Sequence, residues 1–220
     1  FGGSKESCAI ALLAERLCPL GIDVLAPDWE AHGDRGHDFS RLSVGGCISD
    51  LKTAERFARE NISDNIGVFA TSFGGFIALL RMAEGSAPYK RAVLRVPAVN
   101  MANSLVNAAR LSDPDITAEK AREQGHFTLR MAEEFQIPFS LYEELAENSC
   151  VRKCAEWSSE KISVVYAEND ELVSRLDTEK FIRLNDIPAK MIRGTGHRMM
   201  QPEKLSEALD FAAEKLTQII

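Results

Sequence analysis

Residues 66–75 read Ile66-Gly67-Val68-Phe69-Ala70-Thr71-Ser72-Phe73-Gly74-Gly75, an apolar run that stops at a serine set among small residues. The stretch 66–70 has the length and composition of a short buried strand, and the apolar residues from 74 to 82 continue as a helix. Between them, Ala70-Thr71-Ser72-Phe73-Gly74 forms a small-x-Ser-x-Gly turn. Small residues two before and two after the serine suit a sharp strand-to-helix turn, because a larger side chain at either place would strike neighbouring backbone. Such a turn lifts Ser72 Oγ to the end of the strand. Serine is also a favoured helix N-cap, so the turn implies chemistry only if partners for Ser72 exist elsewhere.

Working outward, Ile10, Leu13, Ala14 and Leu17 recur at helical spacing and Gly21 follows as a stop. Residues 21–26 (GIDVLA) read as a short buried strand ending at Pro27. Val44, Cys47, Ile48, Leu51, Ala54, Phe57 and Ala58 make a second helical stripe ahead of the strand at 66–70. A further strand follows at 92–96 (AVLRV). This alternation of helix and strand predicts an α/β fold with a mostly parallel sheet and helices on both faces. The pattern breaks over 98–159, where the stretches 127–135 and 141–154 read as helical and no strand signal appears, so this segment is expected to be a helical cap insertion. Alternation resumes with a strand at 162–167 (ISVVYA), a helix near 178–184, a strand at 189–192 and a last helix bearing Leu205, Ala208, Leu209, Ala212 and Leu216. The core is therefore expected in 1–97 and 160–220.

The chain has 220 residues, of which 45% are hydrophobic, enough for one sizeable core. Its 26 Lys and Arg against 33 Asp and Glu give a net charge of −7. That balance disfavours nucleic acid, which needs a basic face. No apolar run approaches the roughly 18 residues of a membrane span, and no signal peptide is evident. Cys8, Cys18, Cys47, Cys150 and Cys154 are odd in number and scattered, which fits a reducing cytoplasmic compartment better than a disulfide framework. Cys150 and Cys154 lack a second pair to complete a zinc site, so no metal is expected.

A nucleophilic serine needs a base oriented by a third group. Four histidines are present. His197, in Gly194-Thr195-Gly196-His197, follows the last strand, where a loop at the carboxyl edge of the sheet can bring it above Ser72. His32 and His37 sit in the loop after residues 21–26 and suit loop-stabilising hydrogen bonds; His126 lies in the insertion. The loop after 162–167 holds Glu168, Asn169, Asp170 and Glu171. Ser72, Asp170 and His197 each stand just beyond a predicted strand, in the chain order Ser…Asp…His expected of an α/β-hydrolase.

On these residues the chain resembles the α/β-hydrolase superfamily, with bacterial feruloyl/cinnamoyl-type serine esterases as its nearest likeness. The resemblance also rests on Phe1-Gly2-Gly3-Ser4, similar to the family's oxyanion loop, on Ala26-Pro27-Asp28, on Ala31-His32-Gly33, and on Gly196-His197. It implies that Asp170 is the acid, with Ala167 in the glycine place of the family's Gly-x-x-Asp pattern, and that the backbone N–H groups of Phe73 and Phe1 form the oxyanion hole. Ala70 departs from the glycine that most members carry at the elbow. The family's first three strands are not in the sequence, and its sheet order sets one of them between 21–26 and 66–70. Each backbone group left unpaired there would cost about 1 to 3 kcal/mol. The expectation is that roughly 25 to 40 residues precede Phe1 in the working protein.

The resulting expectation is a serine hydrolase acting on a small carboxylic ester through an acyl-enzyme, with no cofactor. A thioesterase or peptidase of the same fold is the alternative, as is a binding protein that kept the fold without the chemistry. Phe127, Phe135, Phe139, Tyr142 and Trp157 either line a lid over an apolar pocket or pack the insertion onto the sheet.

Overall fold

The computed structural model describes residues 2–130, 134–149 and 159–219. Four parallel strands, β1 (Ile66–Thr71), β2 (Tyr89–Arg95), β5 (Ile162–Ala167) and β6 (Ala189–Ile192), form a sheet in the order β1-β2-β5-β6. Helix α3 (Phe73–Ala83) joins β1 to β2, and α7 (Arg175–Leu184) joins β5 to β6. The central strands are buried on both faces, as parallel strands with crossover helices must be. On one face, Val93 packs with Leu13 and Leu17 of α1 (Cys8–Leu17) and with Leu209, Ala212 and Leu216 of α8 (Pro202–Leu216). On the other, Ala92, Leu94 and Val164 join α2 (Val44–Asn61), α3, α7 and the insertion in one large core.

Residues 21–26 are a correction. They form no strand, and Val24 and Leu25 are 37% and 44% exposed. Apolar content does not by itself make a strand: a ladder partner is required, and among the described residues β1 is the sheet's edge, paired only with β2 and half-buried along its length.

The insertion is a second correction. It is not wholly helical: α4 (Met101–Arg110), α5 (Ala118–Gln124) and α6 (Phe139–Glu147) surround an antiparallel hairpin of β3 (His126–Arg130) and β4 (Glu134–Pro138). The alternation is visible in hindsight, since Phe127, Leu129, Phe135 and Ile137 are buried and their neighbours face outward. The aromatic residues pack rather than gape. Phe127 stacks on Phe139 at 6.2 Å and meets Tyr142 at 5.2 Å, within the main core. Trp157, Cys150 and Cys154 lie outside the described residues. The insertion is tied down by Glu144 Oε1, which accepts the Val44 N–H at 3.0 Å, and by Asn107 Nδ2, which donates to the Leu172 carbonyl at 3.0 Å. Among the described residues no helix is long and apolar enough to cross a membrane.

Candidate active site

The turn after β1 carries the strain its sequence predicts. Ser72 has φ 53° and ψ −115°, a conformation that L side chains rarely adopt. Its frame holds it there: the Ser72 N–H donates to the Arg95 carbonyl at 3.0 Å, and its own carbonyl accepts from Phe76 and Ala98. Val96 and Met199, at the same carboxyl edge, also have positive φ. The steric demand falls one residue later than expected. A Cβ on Gly74 would meet nothing within 4 Å, whereas one on Gly75 would lie 3.0 Å from Pro97 Cβ. The close approach is of α3 to the end of β2, not of the turn to itself.

Three loops beyond the strand ends bring Ser72, Asp170 and His197 together. His197 Nε2 stands 2.9 Å from Ser72 Oγ, and His197 Nδ1 stands 2.8 Å from Asp170 Oδ2 and 3.0 Å from Oδ1. The side chains of His197 and Asp170 are 8% and 4% exposed. Asp170 Oδ1 further accepts the N–H groups of Leu172 and Val173 at 3.0 and 2.7 Å, so the carboxylate is fixed from both sides. With Nδ1–H committed to Asp170, Nε2 is left as the acceptor facing the hydroxyl. Phe73 is the first residue of α3, where a helix directs its N–H groups outward and favours negative charge. Phe1, the other expected oxyanion donor, lies outside the described residues.

The remaining histidines sit apart from this cluster. His32 is buried, its Nδ1 2.9 Å from the Glu30 carbonyl and its ring stacked 6.1 Å from Phe73 and edge-on to Phe39. Burial pushes its pKa down to about 4. His37 meets the Phe135 ring edge-on at 5.3 Å, and His126 Nδ1 lies 3.2 Å from the Gln124 carbonyl. A cavity of about 440 Å³ between His37, Phe39, His126 and Phe135 is not lined by Ser72, Asp170 or His197.

Arg95 was hidden from the sequence reading inside the run AVLRV. It pairs in register with Thr71, next to the turn at Ser72, and is buried. Its Nε reaches Thr71 Oγ1 at 3.3 Å, and Nη1 has no hydrogen-bond partner among the described residues. Desolvation lowers its pKa to about 10 against the opposing pull of Asp170. The signal for it was a guanidinium in an otherwise apolar strand run. Asp28, in the loop ahead of the elbow, also organises backbone: it accepts the Lys5 N–H at 2.7 Å, and a Cβ on Gly33 (φ 54°) would lie 2.4 Å from its carboxylate.

The family described as serine aminopeptidase, S33, matches residues 2–126, a span that includes Ser72 but neither Asp170 nor His197. No curated protein matches the sequence significantly. Among solved structures, the chain is similar to the α/β hydrolase domain-containing protein 10 from mouse at TM-score 0.71 and 14% identity, covering 99% of this chain and 87% of that one. Est1E from Butyrivibrio proteoclasticus with ferulic acid bound aligns at TM-score 0.72 and 15% identity, over 99% and 86% of the two chains. A monoacylglycerol lipase from Paleococcus ferrophilus aligns at 0.67 and 17%, over 100% and 93%. At these identities the structures speak for the fold alone. With more than half of its residues matched by the family and the fold shared along nearly its whole length, the chain belongs to the serine aminopeptidase S33 family of α/β-hydrolases.

Proposed function

We propose that this chain is a serine hydrolase that cleaves carboxylic esters, with Ser72 as nucleophile, His197 as general base and acid, and Asp170 as the orienting acid. The observation that carries this reading is the unbroken relay from Ser72 Oγ through both imidazole nitrogens to a buried, doubly anchored carboxylate. Ser72 Oγ attacks the acyl carbon while His197 Nε2 takes its proton; the same nitrogen then protonates the leaving alcohol. Asp170 holds the Nδ1–H tautomer and stabilises the imidazolium that forms. The Phe73 N–H, at the positive end of α3, faces the developing oxyanion. Water enters on the vacated side, loses a proton to His197 and releases the acid.

Ester is favoured over amide because its alkoxide leaves more easily than an amine, and over thioester because ferulic acid and monoacylglycerol appear among the names of similar structures. The family description names an aminopeptidase, and an amide passes through the same tetrahedral intermediate. The experiment therefore has three arms: p-nitrophenyl esters of increasing acyl length, acyl thioesters, and aminoacyl p-nitroanilides. The expected result is turnover of esters, one fluorophosphonate label per chain, and a loss of about 10⁴ to 10⁶ in kcat in Ser72→Ala. Equal labelling of Ser72→Ala would exclude Ser72 as nucleophile, and turnover of the anilide alone would replace esterase by peptidase.

A further inference from the structure

The ladder between β5 and β6 does not stop where the strands do. Beyond Ala167 opposite Ile192, the Glu168 N–H donates to the Ile192 carbonyl at 3.0 Å and the Asn169 N–H to the Thr195 carbonyl at 3.0 Å. Where a main-chain carbonyl would next be needed, glutamate side chains take its place. Glu168 Oε2 accepts the Gly194 N–H at 2.9 Å, and Glu171 Oε2 accepts the N–H of His197 itself at 3.0 Å. The loop bearing the acid thus grips the loop bearing the base at four points, besides the Asp170–imidazole contact. Of the four, only the Glu171 bond falls on the residue whose ring faces Ser72.

A second feature ties the same contact to the residue before the base. Gly196 passes so close to Glu171 that a Cβ there would lie 2.5 Å from Oε2, with the Asn169 carbonyl next at 3.4 Å. A side chain at residue 196 would therefore push the Glu171 carboxylate off its contact, while the backbone around it leaves room. His197 is buried while Glu171 is exposed, so the bond carries the grip of an outer side chain to a buried base.

We propose that Glu171 is a positioning residue for His197: its carboxylate accepts the main-chain N–H of the base and fixes how the imidazole stands between Asp170 and Ser72. This rests on the reading of Ser72 and His197 as nucleophile and base. Glu171 touches neither the substrate nor the hydroxyl. Its effect comes through the anchor, because a displacement of about 1 Å in a reacting group costs on the order of 10²-fold in rate.

The test measures fluorophosphonate labelling of Ser72, resolved into the maximal rate kinact and the half-saturating concentration KI, in wild type and four variants. Glu171→Ala is expected to lower kinact by about 10- to 100-fold with KI changed less than about twofold. Glu171→Gln keeps an acceptor oxygen and is expected within about threefold of wild type. Gly196→Ala, which leaves Glu171 in place but pushes its carboxylate aside, is expected to resemble Glu171→Ala. The double variant is expected to be no slower than Glu171→Ala alone, since the clash and the anchor are one interaction. Wild-type kinact in Glu171→Ala, an equal loss in Glu171→Gln, or multiplicative losses in the double variant would each overturn the proposal. If Glu171→Ala fails to fold, Gly196→Ala decides, and a wild-type rate there is the refuting result. A wild type that does not label, or labelling that survives Ser72→Ala, refutes the underlying reading instead.

Discussion

Lowering the pH from 7 to 5 is expected to destabilise this protein in part through His32. Its ring lies in the core against Phe73 and Phe39, with Nδ1 committed to the Glu30 carbonyl, so an added proton must go to Nε2 and place a cation among aromatic rings. Burial holds the folded-state pKa at about 4 against 6.5 for the ordinary imidazole. The unfolded chain therefore binds a proton in a range where the folded chain does not, and stability falls as pH falls through that window. The linkage integral gives a loss of about 2 kcal/mol between pH 7 and pH 5, rising to about 3 kcal/mol below pH 4. For a chain of this size, 2 kcal/mol is a fall of about 4–8 °C in Tm. Carboxylates titrate over the same range, so the measurement is a difference. Urea unfolding at pH 7 and pH 5 is compared between wild type and His32→Asn, whose amide can still donate to the Glu30 carbonyl but does not titrate. The variant is expected to be less stable at pH 7, from lost ring packing, yet to show a pH dependence weaker by about 2 kcal/mol. Equal pH dependence in the two proteins would refute the argument.

Three further outcomes follow from the site. Asp170→Asn retains an acceptor for the Leu172 and Val173 N–H groups but presents an amide N–H to His197; the imidazole takes the wrong tautomer, and ester kcat is expected to fall about 10⁴-fold at nearly unchanged Tm. Gly74→Ala enters open space in a helix and is expected to leave Tm unchanged or raise it, whereas Gly75→Ala drives a methyl against Pro97 and is expected to cost about 1 to 3 kcal/mol; calorimetry with the order reversed would contradict the packing described. Arg95→Met removes a guanidinium with an unpartnered Nη1, and its desolvation corresponds to roughly 3 kcal/mol. Its unfolding free energy is expected to equal or exceed that of wild type, and a fall by more than about 2 kcal/mol would mean that the guanidinium is well compensated.

How much of this was legible beforehand depends on the range of the interactions. The helices α1, α2, α3, α7 and α8 and the four sheet strands were readable because each buries a stripe or run whose period is written locally. The segment 21–26 has the same local signature as β1 but no ladder partner among the described residues, and a partner is not a property of the segment. The hairpin β3–β4 failed for the opposite reason: its alternating residues overlap a helical spacing, and only the pairing of Phe127 with Ile137 and Leu129 with Phe135 decides between them.

The site divides along the same line. That Ser72, Asp170 and His197 would meet could be read ahead because the proposed chemistry calls for those residue types in that chain order. What holds them could not be named. Glu171 reads in sequence as one more acid in a solvated loop beside Asp170, and its meeting with the His197 N–H depends on two loops 26 residues apart running on as an extension of the β5–β6 ladder. Arg95 reads as an interruption of a strand, and only the register that sets it beside Thr71 and Val165 brings it under the elbow. Residues that perform a reaction are constrained by its mechanism, which is general, whereas residues that position them are constrained by one particular backbone. A search for further determinants of rate in this protein should therefore begin with the side chains that accept main-chain N–H groups of the loop 193–199, before those that merely share a charge with the triad.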